Sequence, residues 1–148
     1  MVMQTSCKKG MEQMDLLQAF EIIVDKAKGS SLGEKFYQEA DPYLGFVSDK
    51  LCISKRASAI MALFADRCDD NHIQFSDYTD FLDCRILSLL RYSKETEELV
   101  DKEYVCRSKD EGLYYCIPME VMEAFQQNQR YIRVTSKSVW IRHRSSLV

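Results

Sequence analysis

The sequence predicts a mainly α-helical fold with a small β wing, and three observations carry that prediction. Apolar residues recur at helical spacing through most of the chain before residue 104. The segment Tyr104 to Pro118, YVCRSKDEGLYYCIP, alternates as a β-hairpin. An acidic helical run leads directly into that hairpin, and another short helix follows it. Helix followed by hairpin is the order of a winged helix-turn-helix domain, here with an amino-terminal helical extension.

The elements follow in order. From Met11 to Lys28, the spacing of Met14, Leu16, Leu17, Phe20, Ile23, Val24 and Ala27 predicts an amphipathic helix, which Gly29 stops. Ser31 with Glu34 forms a capping-box pattern for a short helix through Ala40. Asp41-Pro42 then reads as a cap and first helical residue of a third helix, with Tyr43, Leu44, Phe46, Val47 and Leu51 on its apolar face. Ser54 caps a nearly all-apolar helix containing Ala57, Ile60, Met61, Leu63 and Phe64, which must be central, and Asp69-Asp70-Asn71 ends it. His72 to Phe75 fits a short first strand, and Ser76 fits the cap of a helix over Asp77 to Leu82. Arg85 to Lys102 holds the next helix. Its inner half, Ile86, Leu87, Leu89, Leu90 and Tyr92, is expected in the core, with a break near Ser93 before Leu99 and Val100 resume it. In the hairpin Val105, Leu113, Tyr115 and Ile117 alternate inward, and Pro118 opens a helix using Val121, Met122 and Phe125. Residues 129–148 read as an edge strand or strand pair anchored by Trp140. The expected organisation is a helical extension over 1–52, a winged-helix domain over 53–128 and a basic tail over 129–148.

Composition narrows the class of protein. With 148 residues, 46% hydrophobic and 29% charged, the chain suits one well-cored domain with an extension. Its apolar runs fall far short of the roughly 20 residues that span a bilayer. The amino terminus places no apolar segment after its first lysines, so it does not read as a secretory signal, and a cytoplasmic location is expected. The six cysteines include no C-x-x-C pair, and neither His72 nor His143 has a partner at ligand spacing, so no metal site is expected. A three-residue loop Asp110-Glu111-Gly112, with Gly112 left-handed, would set Cys106 directly across from Cys116. In a reducing compartment the expected state of that pair is two thiols.

Little in the sequence speaks for catalysis. There is no G-x-x-x-x-G-K-[ST] loop, no nucleophile elbow and no pair of neighbouring histidines, so neither an enzymatic activity nor a cofactor is expected. Asp77, Asp80 and Asp83 recur every third residue, which reads as a solvated helix face.

Charge bears more directly on partners. Residues 71–128 carry 6 basic and 12 acidic groups, whereas residues 129–148 carry 5 basic and none acidic. On the helix before the wing, Arg85, Arg91, Lys94 and Lys102 face Glu95, Glu97, Glu98, Asp101 and Glu103, a balance that repels DNA. In the wing Asp110 and Glu111 offset Arg107 and Lys109. The tail, with Arg130, Arg133, Lys137, Arg142 and Arg144 among Tyr131 and Trp140, is the one basic-aromatic strip suited to a nucleic-acid backbone. The favoured alternative for the tail is an edge strand that pairs with the acidic middle block. A protein partner suits the remainder better, with Tyr104, Arg107, Lys109 and Tyr114 as the candidate contact residues.

The runs LGEKFYQEADPYLGFVSDKLCISKRASAIMALFAD and ELVDKEYVCRSKDEGLYYCIPMEVMEAFQQN resemble the amino-terminal region of Bacteroides-type AAA-family ATPases. In those proteins a helical segment and a winged-helix-like domain precede the ATPase core. The likeness spans residues 11 to 128 and rests on element order and anchor positions. Where the core would begin, this sequence has the basic tail and no Walker loop. The resemblance implies a recruiting or regulatory module that brings a substrate or partner to such an ATPase. The expectation is therefore a non-catalytic protein-interaction module, with a nucleic-acid binder using wing and tail as the alternative.

Overall fold

The computed structural model describes residues 14–108 and 114–132, and these form a mainly helical fold with one two-stranded antiparallel sheet. Helix α1, Leu16–Ala27, begins where the Asp15 carboxylate accepts from the Gln18 amide at 2.8 Å. It buries Leu16, Ala19, Phe20, Ile23, Val24 and Ala27, the single stripe expected from their spacing. Gly29 ends it with a left-handed φ of 68°. The corner that follows is tied down from outside: the Gly29 and Ser31 amides donate to the carbonyls of Phe81 and Leu82 at 2.8 and 2.7 Å.

That corner corrects the expected capping box. Ser31 has a φ of 56° and donates its hydroxyl to the Asp83 carbonyl, while Gly33 takes the cap position. Helix α2, Glu34–Leu51, then runs without interruption through Pro42, where the sequence suggested two helices. Phe36, Ala40, Leu44, Val47 and Leu51 form one continuous buried stripe across the proline, and burying it as a unit outweighs the one backbone bond that Pro42 cannot make. Pro42 is on the exposed face, and Asp41 pairs with Lys55 at 2.8 Å and caps nothing.

Helix α3, Lys55–Ala65, is central as expected. The Ser54 hydroxyl accepts from the Ala57 amide at 3.1 Å, and every residue from Ala57 to Ala65 is buried. The helix stops at Ala65, short of the Asp69-Asp70-Asn71 signal, and turns carry the chain on to Asp70. A 3-10 turn over Phe75–Tyr78 follows, capped by Gln74 and Asp77 in place of Ser76, and leads into the single-turn α4, Thr79–Leu82. Helices α5, Ile86–Leu90, and α6, Ser93–Asp101, are separated by the expected break. Strands β1, Cys106–Ser108, and β2, Tyr114–Cys116, pair with Cys106 opposite Cys116. The loop conformation expected around Gly112 lies outside the described residues. The strand expected over His72 to Phe75 is reduced to one antiparallel bridge, Ile73 with Tyr115. Helix α7, Met119–Gln126, starts after Pro118 and buries Val121 and Phe125.

The core is continuous across residues 52 and 53. Phe20 of α1 meets Phe125 of α7 edge-on at 5.4 Å, and Phe64 of α3 stacks on Tyr115 of β2 at 5.3 Å. No helix among the described residues is long and apolar enough to cross a membrane.

The unbroken α2 has a measurable consequence. Replacing Pro42 by Ala restores a backbone donor in an exposed helix interior and should raise unfolding stability by about 1–2 kcal/mol, read from the urea midpoint. A lower midpoint would mean that the chain does break at Asp41.

Candidate protein-docking face

Of the five residues of helix α5, the core buries only Leu89. Asp83, left-handed at φ 59°, turns the chain out of α4, and the Cys84 amide closes that corner on the Thr79 carbonyl at 3.1 Å. Leu89 and Tyr92 then anchor the segment by entering the core. The Tyr92 phenol shares a 2.5 Å hydrogen bond with that of Tyr37 on α2, and the Arg56 guanidinium lies 4.3 Å over the Tyr92 ring. Burial, then for Tyr37 the bond to Tyr92, holds both phenols above the ordinary tyrosine range, so both are neutral donors and acceptors at physiological pH. Arg56 also approaches Glu95 of α6 at 3.5 Å.

With Leu89 and Tyr92 inward, the rest of the apolar set must face out. Ile86, Leu87 and Leu90 are 39%, 66% and 50% exposed, and their i, i+3 and i, i+4 spacings put them on one face. This overturns the expectation that all five apolar residues of the segment lie in the core. At about 100° per residue, Leu89 through Leu87 spans an arc of about 160° around the helix, and the core takes only its Leu89 edge. Arg85, Arg91 and Lys94 are exposed around the face, and none of the three is in an ion pair among the described residues.

The acidic helix behind this face is less of a free charge field than its composition suggests. Glu98 accepts from both the amide and the hydroxyl of Ser54, at 2.7 and 2.9 Å, and so fixes the start of α3. Glu97 pairs with Arg107 at 3.2 Å, and Glu95 faces Arg56.

The residues first considered for partner contact divide. Tyr104, expected on the surface, is only 2% exposed and donates its hydroxyl to the Leu51 carbonyl at 2.7 Å, a core role that its position beside the two-stranded sheet concealed. Arg107 is exposed but bound to Glu97, and Tyr114 is half-buried with its ring edge-on to His72 at 4.9 Å. Lys109 lies outside the described residues, as do Arg133, Lys137, Trp140, Arg142 and Arg144. Arg130 of the tail is described, and its guanidinium donates to the Cys52 sulfur at 2.9 Å.

Two concavities lie among the described residues. An apolar cleft of about 310 Å³ lies between α1, α3 and α7, lined by Leu17, Phe20, Val24, Ala62 and Met122. A more polar one of about 290 Å³ is lined by Cys52, Lys102, Tyr104 and Arg130 among others. Asp77, Asp80 and Asp83 are not gathered into a site: Asp77 accepts from the Gln74 amide at 2.9 Å, and Asp83 forms the corner before α5. Among the described residues no group of three His, Cys, Asp or Glu side chains is placed to hold a metal ion.

Tyr104 supplies a test of its corrected role. Burial pushes its phenol up to about 12, so its contribution to stability is complete below the ordinary tyrosine value of about 10 and is lost as pH rises through about 12. Tyr104→Phe should cost about 1 kcal/mol near neutrality, and the difference from wild type should shrink as pH climbs from about 10 to about 12 in parallel urea titrations. A pH-independent difference would contradict that role. Comparison with family models, curated proteins and solved structures finds no match.

Proposed function

We propose that this chain is a non-catalytic docking module of winged helix-turn-helix type, which uses the outward face of α5 to hold a protein partner and so recruits a substrate or partner for an AAA-type ATPase. The observation that carries the reading is the cluster of Ile86, Leu87 and Leu90, three large apolar side chains exposed together on a helix that is anchored by Leu89 and, just beyond its end, by Tyr92. Such a face gains free energy when a partner covers it, and the cations around it favour an acidic rim on that partner. The winged-helix assignment is supported by the order α4, α5, α6, hairpin, and by the bridge that adds Ile73 as a minimal third strand beside β2. The ATPase context is supported by the sequence resemblance alone.

The contrasting role, a nucleic-acid binder working through wing and tail, draws less support from the described residues. Arg107, the described basic residue of the wing, is already paired with Glu97, and the α5 face offers leucine and isoleucine where base or phosphate readers would stand.

The paired substitution Leu87→Glu and Leu90→Glu tests the reading. Both positions are solvent-exposed, so the fold should persist by circular dichroism, while affinity for an AAA-type ATPase core co-expressed with the chain should fall about 30-fold or more, corresponding to about 2 kcal/mol. Unchanged affinity in the folded variant would remove α5 from the interface. Salt-sensitive retention on heparin that disappears when residues 129–148 are deleted would favour the nucleic-acid role instead.

A further inference from the structure

The hairpin sets two of the chain's six cysteines face to face. Cys106 of β1 is exposed, Cys116 of β2 is half-buried, and both are free thiols in register with each other. The alternation of the ladder defines the kind of pair. Ile73 and Tyr115 exchange both backbone bonds, at 2.9 and 2.8 Å, so the peptide groups of Tyr115 point away from β1 and those of its neighbours Tyr114 and Cys116 point toward it. Cys106 and Cys116 are therefore a hydrogen-bonded cross-strand pair, whose Cα atoms stand about 5.5 Å apart with both side chains on one face of the ribbon. That separation lies inside the Cα range of about 4.4–6.8 Å found in disulfides, while the Cβ atoms of a hydrogen-bonded pair, about 5.5 Å apart, must close by about 1 Å, which strains the bond and leaves it readily reduced. Burial, then the neighbouring Cys106 thiol, raises the pKa of Cys116.

We propose that Cys106 and Cys116 form a reversible thiol–disulfide switch on the wing, closed by hydrogen peroxide and reopened by a dithiol. The exposed Cys106, as thiolate, attacks the peroxide O–O bond, taking one oxygen as a sulfenic acid and releasing the other as water. Cys116 then attacks the Cys106 sulfur, the S–O bond breaks, and a second water leaves as the S–S bond forms. Two thiols have lost two protons and two electrons, and the peroxide has accepted both. Closure pins β1, an edge strand, to β2, whose Tyr115 is seated in the ring cluster with Phe64 and Phe75. Through Arg107 and Glu97 it also steadies the contact between β1 and α6.

The experiment uses the full chain, reduced and then titrated with hydrogen peroxide, followed by alkylation, intact mass and peptide mapping. The first oxidised species should lose about 2 Da and two alkylatable thiols, yield a peptide linking residues 106 and 116, and revert with dithiothreitol. Amide exchange over Cys106–Ser108 should slow about tenfold in the oxidised form. Cys106→Ser, an exposed and nearly isosteric change, should abolish that species, whereas Cys84→Ser should leave it intact. The proposal is overturned if the first product is an unlinked sulfenic or sulfonic acid, a bond involving any other cysteine, or a disulfide between two chains.

Discussion

The all-round burial of α3 is the constraint on which the rest of the structure depends. Nine consecutive residues, Ala57 to Ala65, are shielded, and five of them are alanine or serine, so neighbouring helices approach closely on every side. α1, α2 and α6 all pack against it. A helix enclosed in this way can tolerate a polar group only if it is satisfied locally, and the Ser58 hydroxyl donates to the Ser54 carbonyl at 2.9 Å. Two phenols secure the elements around it, Tyr78 on the Leu63 carbonyl and Tyr104 on the Leu51 carbonyl. The surrounding helices are in this sense a shell cast around one apolar rod.

What the sequence made legible was whatever a short window decides. The Ser54 cap, the central helix after it, the break between α5 and α6, the pairing of Cys106 with Cys116 and the helix after Pro118 all follow from local chemistry: a hydroxyl at a cap, a change of period, a proline at the start of a helix. The misreadings have a common cause in packing across the chain. Asp41-Pro42 has every local mark of a new helix, but the stripe from Phe36 to Leu51 is buried as one piece. Ser31 and Glu34 match a capping box, yet Ser31 is drawn to the carbonyls after α4. The strand expected at His72 has only one partner residue on β2 and closes a single bridge.

The exposed apolar face of α5 was hidden for a related reason. Ile86, Leu87, Leu89, Leu90 and Tyr92 are equally apolar, and only the position of the core relative to α5 decides which of them it receives. Tyr104 failed in the opposite direction, because the three residues before it are charged while its neighbours in space are Leu51 and Phe125. The acidity of α6 also changes meaning. Glu95, Glu97 and Glu98 look in sequence like a field that repels nucleic acid, but in the fold they meet Arg56, Arg107 and Ser54. The case for a protein partner therefore rests on the apolar character of α5 and no longer on the charge of the helix beside it.

The corner between α1 and α2 is tied to the segment that leads into α5. Gly29, Ser31 and the Ser31 hydroxyl donate to three successive carbonyls, those of Phe81, Leu82 and Asp83, immediately before the chain turns into α5. These bonds act as a rivet through two segments more than fifty residues apart in sequence. The start of α5 can therefore shift against the first two helices only by breaking these backbone-anchored bonds.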